Sequence, residues 1–219
     1  MRTVWGTFLA LAVAAPLAAQ PRRPLSTSSA EPPVSIRVFG MVAEQQFSAQ
    51  TTFDAVFGQT TQPFWGGGGE AVFRRGIFVE VGASRFTKTG QRAFRANGQS
   101  FRLGIPLTAT ITPFEVIGGY RFRLRRHPSV IPYLGAGVGS YAYSEKSNLS
   151  DATENVDTRH VGELAVGGVE FRVHRWVGLG VDAHYTHIPG ILGTGGISKD
   201  ANESDLGGIS ARFKLIVGR

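Results

Sequence analysis

The chain has 219 residues, of which 42% are hydrophobic, and it carries a formal net charge of +7 and no cysteine. This hydrophobic content excludes a wholly disordered chain, and the lack of cysteine excludes a fold held by disulfides. Glycine is over-represented, with 29 residues against a usual ~7% of a chain, and no long low-complexity tract accompanies it, which excludes a collagen or linker chain.

The N-terminal segment predicts export. Residues 1–20, MRTVWGTFLALAVAAPLAAQ, combine a basic start, an apolar run and small residues before the expected cleavage point, as a secretory signal peptide does. The apolar run ends at Pro16 and is shorter than the ~20 residues of a spanning helix. Residues 21–33 are rich in proline and serine and are predicted to form a flexible lead-in, which leaves residues 34–219 as the folded domain.

From Val34 onward, apolar and polar residues alternate with a period of two, which predicts strands and no helix. The predicted strands lie near residues 36–46, 64–73, 77–86, 112–123, 131–143, 162–173, 177–187 and 208–217. The fold class is therefore all-β, and we predict an eight-stranded antiparallel up-and-down transmembrane β-barrel.

The connections between these strands alternate in length. Short basic turns lie near residues 74–75, 124–129 and 173–176, and long polar segments cover about 47–63, 87–111, 144–161 and 188–207. Outer-membrane barrels show this asymmetry, with short periplasmic turns and long external loops.

The segment PYLGAGVGSYAY, residues 132–143, places Gly135, Gly137 and Gly139 on one face of a strand. In a small closed barrel this face points inward, where glycine makes room for large charged neighbours, and the alternate apolar face meets lipid. A soluble lipocalin-like barrel or β-sandwich would instead bury its apolar face and show water the charged one. Here the charged face is also the glycine-rich face, which favours the membrane barrel.

The chain resembles the small outer-membrane β-barrel superfamily that includes OmpA-, OmpX- and OmpW-type proteins. The resemblance rests on PYLGAGVGSYAY, on AVGGVEFRV at 165–173, on GLGVDAHYTH at 178–187 and on GGISARFKLIV at 207–217. It implies an outer-membrane protein with its N-terminus in the periplasm and four exposed loops. Such barrels usually close with an aromatic residue, whereas this chain ends Val217, Gly218, Arg219, so Phe213 is expected to serve instead.

The inward phase of the strands collects charged residues. We predict that they form a hydrogen-bonded ion network that plugs the lumen, because an unpaired charge in a dry interior is prohibitive. The alternative function for the same residues is a selective pore or a proton path. The predicted network comprises Arg37, Glu80, Glu115, Arg121, Glu170, Arg172, Asp182, Arg212 and Lys214.

A second basic group lies in the predicted loop after the third strand and is interleaved with phenylalanines. No RNP, helix-turn-helix or zinc pattern accompanies it, so nucleic acid is not the expected partner. Lipopolysaccharide phosphate is the expected anion, with solvent counterions as the alternative. The candidate anion-contacting residues are Arg85, Lys88, Arg92, Arg95 and Arg102.

Catalytic and cofactor sites are not indicated. His184 and His187 are three apart on a strand and face opposite sides, so they cannot share a metal ion, and no cofactor is expected. The stretch HYTHIPGILGTGG resembles the histidine region of outer-membrane lipid A deacylases, but Pro189 and Gly190 stand where the serine and asparagine are required. Ser210 could substitute only if the strand register brought it beside His184, with Asp182 nearby.

The predicted function is that of a monomeric integral outer-membrane protein. Its role is structural or resides in loop contacts with lipopolysaccharide, outer-membrane lipid or an unidentified external partner. Two alternatives stay open at this point: a lipid-modifying outer-membrane enzyme and a soluble periplasmic β-barrel binding protein.

Overall fold

A computed structural model of the chain describes residues 34–96, 99–147, 156–193 and 196–218. The predicted signal peptide at 1–20 and the lead-in at 21–33 lie outside these residues. Within them the chain forms eight strands and two α-helices. The strands are β1 (Val34–Phe47), β2 (Thr61–Phe73), β3 (Ile77–Ala96), β4 (Gln99–Arg121), β5 (Val130–Lys146), β6 (Val156–His174), β7 (Val177–His187) and β8 (Gly208–Gly218), and the helices are α1 (Gln50–Phe57) and α2 (Gly196–Asp200).

The strands form a closed barrel in which each strand pairs antiparallel with its neighbours in sequence. The first and last strands close the ring, with Val42 opposite Phe213 and Gln45 opposite Ser210. The predicted up-and-down antiparallel β-barrel is therefore confirmed. We call the rim that carries the β2–β3, β4–β5 and β6–β7 turns the turn end, and the opposite rim the loop end.

Alternation along each strand separates a lumen face from an outer face. In β8 the side chains of Ser210, Arg212 and Lys214 are buried in the lumen, whereas those of Phe213 and Leu215 are exposed on the outside. Because the side-chain period of a strand is two, one register fixes the direction of every residue in it.

The predicted loop at 87–111 is wrong. The structure extends β3 and β4 as a hairpin that runs well beyond the other strands, with Thr89 opposite Thr108 and Phe94 opposite Phe101. This stretch shows no apolar period because one face of the hairpin is exposed and the other is only partly covered, by α1 and α2. Alternation marks a strand only where one of its faces is buried.

The prediction that the chain forms no helix is also wrong. α1 lies between β1 and β2, and its Phe53 ring stacks on Phe47 at a centroid distance of 3.8 Å. The N-cap residue Ala49 offers no side-chain bond, so the cap comes from elsewhere. Glu203, in the β7–β8 loop, accepts hydrogen bonds from the backbone N–H groups of Thr51 and Thr52.

The other end of α1 is held by the hairpin. Arg102 on β4 donates to the carbonyl oxygens of Asp54 and Ala55, at 3.0 and 2.9 Å. These are carbonyls of the last helical turn, where a cation is favourable. Two distant segments thus clamp a helix of only 8 residues.

Neither α1 nor α2 has the length and apolar content of a membrane-crossing helix, and no other helix among the described residues does.

The inward glycines make room chiefly for aromatic and aliphatic side chains. A Cβ at Gly135 would lie 2.9 Å from Ile117 Cγ2 and 3.2 Å from the Phe78 ring, and one at Gly139 would lie 2.8 Å from the Tyr141 ring. The expectation that charged neighbours fill this space is therefore wrong for β5.

Candidate functional site

Four charged side chains form a cluster in the lumen near the turn end. Arg37 Nη2 donates to Glu70 at 2.5 Å, and its Nη1 donates to both oxygens of Glu170 at 2.9 Å. Arg121 Nη1 donates to Glu70 at 2.7 Å, and its Nη2 bonds Glu170. Each arginine therefore bridges both carboxylates, an arrangement that the planar guanidinium fork suits.

A second cluster lies at the middle of the lumen. Lys214 donates to both Glu80 oxygens, at 2.8 and 2.9 Å, and Arg212 Nε donates to Asp182 at 2.5 Å. The Tyr133 hydroxyl donates to the other Asp182 oxygen at 2.6 Å. Each carboxylate oxygen of Asp182 thus accepts a hydrogen bond, one from Arg212 and one from Tyr133, as buried polar groups require.

A third group lies toward the loop end. Tyr141 donates to Glu115 at 2.9 Å, and His184 Nε2 lies 3.4 Å from the second Glu115 oxygen. Ser210 is directly opposite His184 in the register, with its Oγ 3.5 Å from His184 Nδ1. The register therefore does bring serine and histidine together, although the carboxylate beside the histidine is Glu115, and Asp182 pairs with Arg212.

This serine, histidine and glutamate have no room for a substrate. They border a cavity of about 20 Å³ that is also lined by Arg212, Tyr141 and aromatic residues. Such a volume accommodates about one water molecule.

A cluster of buried apolar side chains lies at the loop end of the lumen, above this cavity. Phe47, Phe64 and Phe86 pack on one another, with 5.4 Å between the Phe64 and Phe86 rings, and α1 adds Phe53. Ile188 and Leu206, from the β7–β8 connection, complete the same cluster and are almost fully buried. Side chains from β1, β2, β3, α1 and the β7–β8 connection therefore pack against one another at the loop end of the lumen.

Opposite charges nearly cancel inside the barrel. Among the described residues, five buried carboxylates (Glu70, Glu80, Glu115, Glu170, Asp182) face four buried cations (Arg37, Arg121, Arg212, Lys214). His184 is buried beside Glu115. Pairing and hydrogen bonding of this kind offset the cost of taking these charges out of water.

The structure brings together eight of the nine residues predicted for the network, which are those named above without Glu70. Arg172 is the exception, because it lies one pair beyond Glu170 at the exposed turn end, beside a register irregularity of β6. Glu70, Tyr133 and Tyr141 were missed by sequence reasoning. Glu70 follows four consecutive glycines, where alternation is not legible, but its place opposite Arg37 follows from the register.

The predicted anion-contacting loop is part of the β3–β4 hairpin, and its cations have different surroundings. Arg102 is held on the carbonyls of α1, Lys88 donates to Gln62 at 3.0 Å and Arg85 Nε donates to Thr87 at 3.3 Å. Arg92 is half-buried on β3, and the side chain of Arg95 lies outside the described residues. These residues therefore do not form one anion-binding loop.

His184 and His187 lie on opposite faces, as the strand period predicts: His184 is buried, and the His187 side chain is 50% exposed. His187 Nδ1 lies 3.1 Å from Asp205. Burial raises the pKa of Asp205. Hydrogen bonds from the N–H groups of Ile188 and Gly207 and from His187 outweigh this effect, so the pKa of Asp205 lies below its ordinary value. Among the described residues, no group of three or more His, Asp and Glu side chains could hold a metal ion.

The outer face of the barrel is apolar on every strand. Exposure of its large apolar side chains reaches 64% at Ile36, 66% at Trp65 and 59% at Leu134. We call this surface the apolar belt. Its members include Ile36, Val38, Val42, Trp65, Ile77, Val79, Val81, Phe114, Val116, Leu134, Val138, Phe171, Val181, Tyr185, Ile209, Phe213, Leu215 and Val217.

No protein-family model and no curated protein matches this chain. Solved structures that are similar include the N-terminal β-barrel domain of Pseudomonas aeruginosa OprF, at 9% identity and a TM-score of 0.48, covering 84% of this chain and 97% of that one. Neisserial surface protein A (NspA) matches at 15% identity and a TM-score of 0.48, covering 85% and 96%. Ail of Yersinia pestis, in complex with the heparin analogue sucrose octasulfate, matches at 12% identity and a TM-score of 0.45, covering 84% and 96%.

Proposed function

We propose that this chain is an integral outer-membrane β-barrel protein with a plugged lumen, which acts as a structural or surface-contact protein through its loop end. The observation that carries the proposal is the apolar belt around a charged, ion-paired interior. A soluble barrel would place these two faces the other way round.

The dimensions of the belt suit a bilayer. β8 has 11 residues, which at ~3.3 Å per residue and a tilt near 40° span roughly 28 Å along the barrel axis. The apolar band of outer-membrane barrels is about 25 Å tall. A contiguous exposed apolar surface of this extent would drive aggregation in water, whereas lipid accepts it at no cost.

Lysine substitution on the outer face tests this proposal. Leu134→Lys places a charge in the belt and should reduce the stability of the barrel folded into lipid vesicles by about 2–4 kcal/mol. Gln91→Lys on the exposed hairpin adds the same charge outside the belt and should leave it unchanged. Equal stability of the two variants in vesicles, or a folded wild-type barrel in buffer without lipid or detergent, would contradict membrane insertion.

The plugged lumen is the second part of the proposal. Its support is the aromatic cluster at the loop end and the paired charges below it. Planar-bilayer recordings of the purified protein should show no stable, large conductance. Regular porin-like steps would contradict the plug and favour the pore alternative.

Lipopolysaccharide is the partner that we propose for the outer side of the hairpin. Arg85 lies opposite the belt residue Trp65 in the strand register. We therefore place its guanidinium group at the loop-end edge of the apolar belt. An Arg85→Gln variant should retain less lipopolysaccharide on purification than an Arg159→Gln variant, which removes an exposed arginine from β6. Equal retention would contradict this contact.

A further inference from the structure

The turn end carries a ring of exposed arginines that neither the lumen network nor the loop contacts use. They come from all three turns of this end. We call this set the arginine rim, and it consists of Arg74, Arg75, Arg123, Arg125, Arg126, Arg172 and Arg175.

Among the described residues exposed at the turn end, none is an Asp or a Glu. The buried Glu70 and Glu170 are engaged with Arg37 and Arg121 inside the barrel. The loop end differs, since acids such as Asp157 accompany its cations there. The described residues exposed at the turn end therefore carry charge of one sign, which attracts anions.

The rim lies directly beside the apolar belt. Arg74 follows Phe73, Arg123 follows Phe122 and Arg175 precedes Trp176, and these three aromatic residues are 39–42% exposed. The Tyr120 and Phe122 rings pack edge-to-face at 5.0 Å on the same outer surface. Aromatic residues of this kind lie at the membrane interface, so the adjacent guanidinium groups reach the depth of lipid phosphates.

The residue type also points to phosphate. Among the described residues exposed at the turn end, every lysine-or-arginine position is an arginine, whose planar fork binds phosphate oxygens through two parallel hydrogen bonds. Arg75 has a φ of 72°, a left-handed conformation that glycine or asparagine adopts at lower cost. Glycine would adopt this turn at lower cost, so the backbone geometry does not account for an arginine at this position.

We propose that the arginine rim binds the phosphate groups of anionic phospholipids in the leaflet at the turn end. This inference rests on the proposed membrane insertion and adds a defined lipid class to it. Zwitterionic phosphatidylcholine carries the same phosphate beside a fixed positive charge, which a ring of one sign repels. Phosphatidylglycerol carries no such positive charge, so the rim should select it.

The test compares lipids retained by the folded, full-length chain. Protein extracted in mild detergent is incubated with equal amounts of phosphatidylglycerol and phosphatidylcholine of the same acyl length, and bound lipid is identified by native mass spectrometry. The rim variant is Arg74→Gln with Arg126→Gln and Arg175→Gln, one change in each turn. The control variant removes three exposed cations of the loop end, by Lys146→Gln, Arg159→Gln and Lys199→Gln.

We expect the wild-type and control proteins to prefer phosphatidylglycerol and the rim variant to lose most of that preference. Each basic residue at an anionic lipid surface changes affinity about fivefold, so the three changes together should lower the affinity for phosphatidylglycerol by roughly a hundredfold. Equal retention of the two lipids by a folded wild-type barrel, or an equal loss in the control variant, would overturn the lipid assignment. Rim-dependent binding to isolated peptidoglycan without any lipid preference would overturn it in favour of a polymer partner.

The folded state is monitored separately, by the gel shift on boiling and by insertion into vesicles. A chain that fails to insert contradicts the proposed function itself. A chain that inserts and shows no lipid preference contradicts the arginine rim inference alone.

Discussion

Arg37 on β1 and Glu170 on β6 meet inside the barrel, where Arg37 Nη1 lies 2.9 Å from each carboxylate oxygen. The two strands are not neighbours in the ring, so this pair spans the lumen. Glu170 also accepts from Arg121, and the cluster thereby connects β1, β2, β4 and β6. The charged interior ties the walls of the barrel together.

Removing this carboxylate should therefore destabilise the barrel. Glu170→Gln leaves Arg37 and Arg121 to share Glu70 alone, and breaking such a buried network costs about 3–5 kcal/mol. The measurement is the midpoint of urea unfolding of the detergent-folded protein. Glu163→Gln is the matched control, because it removes an exposed carboxylate from the outer face of the same strand. Similar midpoints for the two variants would show that the network does not stabilise the fold.

Glu203 should hold α1 in place in a pH-dependent manner. Burial disfavours its charged form, but hydrogen bonds from Thr52 and Thr51 outweigh burial and keep its pKa below the ordinary 4.5. A carboxyl group whose pKa is lowered in the folded state stabilises that state at pH values above its ordinary pKa. This stabilisation is lost as the pH falls through the pKa of the folded state. Amide-exchange protection at Thr51 and Thr52 should thus be constant near neutral pH and fall below about pH 4.5.

The Glu203→Gln variant should show reduced protection already at neutral pH, by about 1 kcal/mol, because it lacks the anionic cap. Asp200→Asn removes a nearby exposed carboxylate as the control. Unchanged protection in Glu203→Gln, or the same acid transition with and without Glu203, would contradict the capping role.

The length and type of each element were predictable to different degrees. The alternation of apolar and polar residues predicts a strand and its phase where one face meets lipid and the other meets packed side chains, as in β7 and β8. The hairpin of β3 and β4 was missed because one face of its described residues is exposed and the other is only half-buried. α1 was missed because its stabilising partners, Glu203 and Arg102, lie far away in sequence.

Inward glycine is required where strand backbones and side chains crowd the lumen. A Cβ at Gly137 would overlap the carbonyl oxygen of Val116, whereas a Cβ at Gly118 would meet nothing within 4 Å. Gly137→Ala should therefore lower stability by about 1–3 kcal/mol, and Gly118→Ala, on the neighbouring strand, by much less. Equal urea midpoints for these two alanine variants would show that inward crowding is not what selects glycine here.

Lipid A deacylase activity is not expected. Ser210 and His184 are adjacent, but the cavity beside them holds about one water molecule, and the exposed His187 is followed by Pro189 and Gly190. Purified protein in detergent should release no 3-hydroxy fatty acid from lipopolysaccharide. Release that disappears in Ser210→Ala or His187→Ala would contradict this and place the chain among enzymes.

The members of the lumen network were predictable only as a set of inward charges. Which partners meet depends on the closure of the ring and on strand registers that no local pattern fixes. Asp182 illustrates this, since Arg212 is its cross-strand neighbour and Tyr133 reaches it from across the lumen. Arg172 shares the phase of Glu170 but lies beyond the point where the wall shields it.

We expect this chain to be a barrel folded in the outer membrane, and a gel of fractionated cells tests this directly. Samples of outer membrane, inner membrane and soluble periplasm are run with and without boiling. The protein should be found in the outer-membrane fraction as a folded band that shifts on boiling. Recovery of the protein entirely in the soluble periplasmic fraction would contradict it.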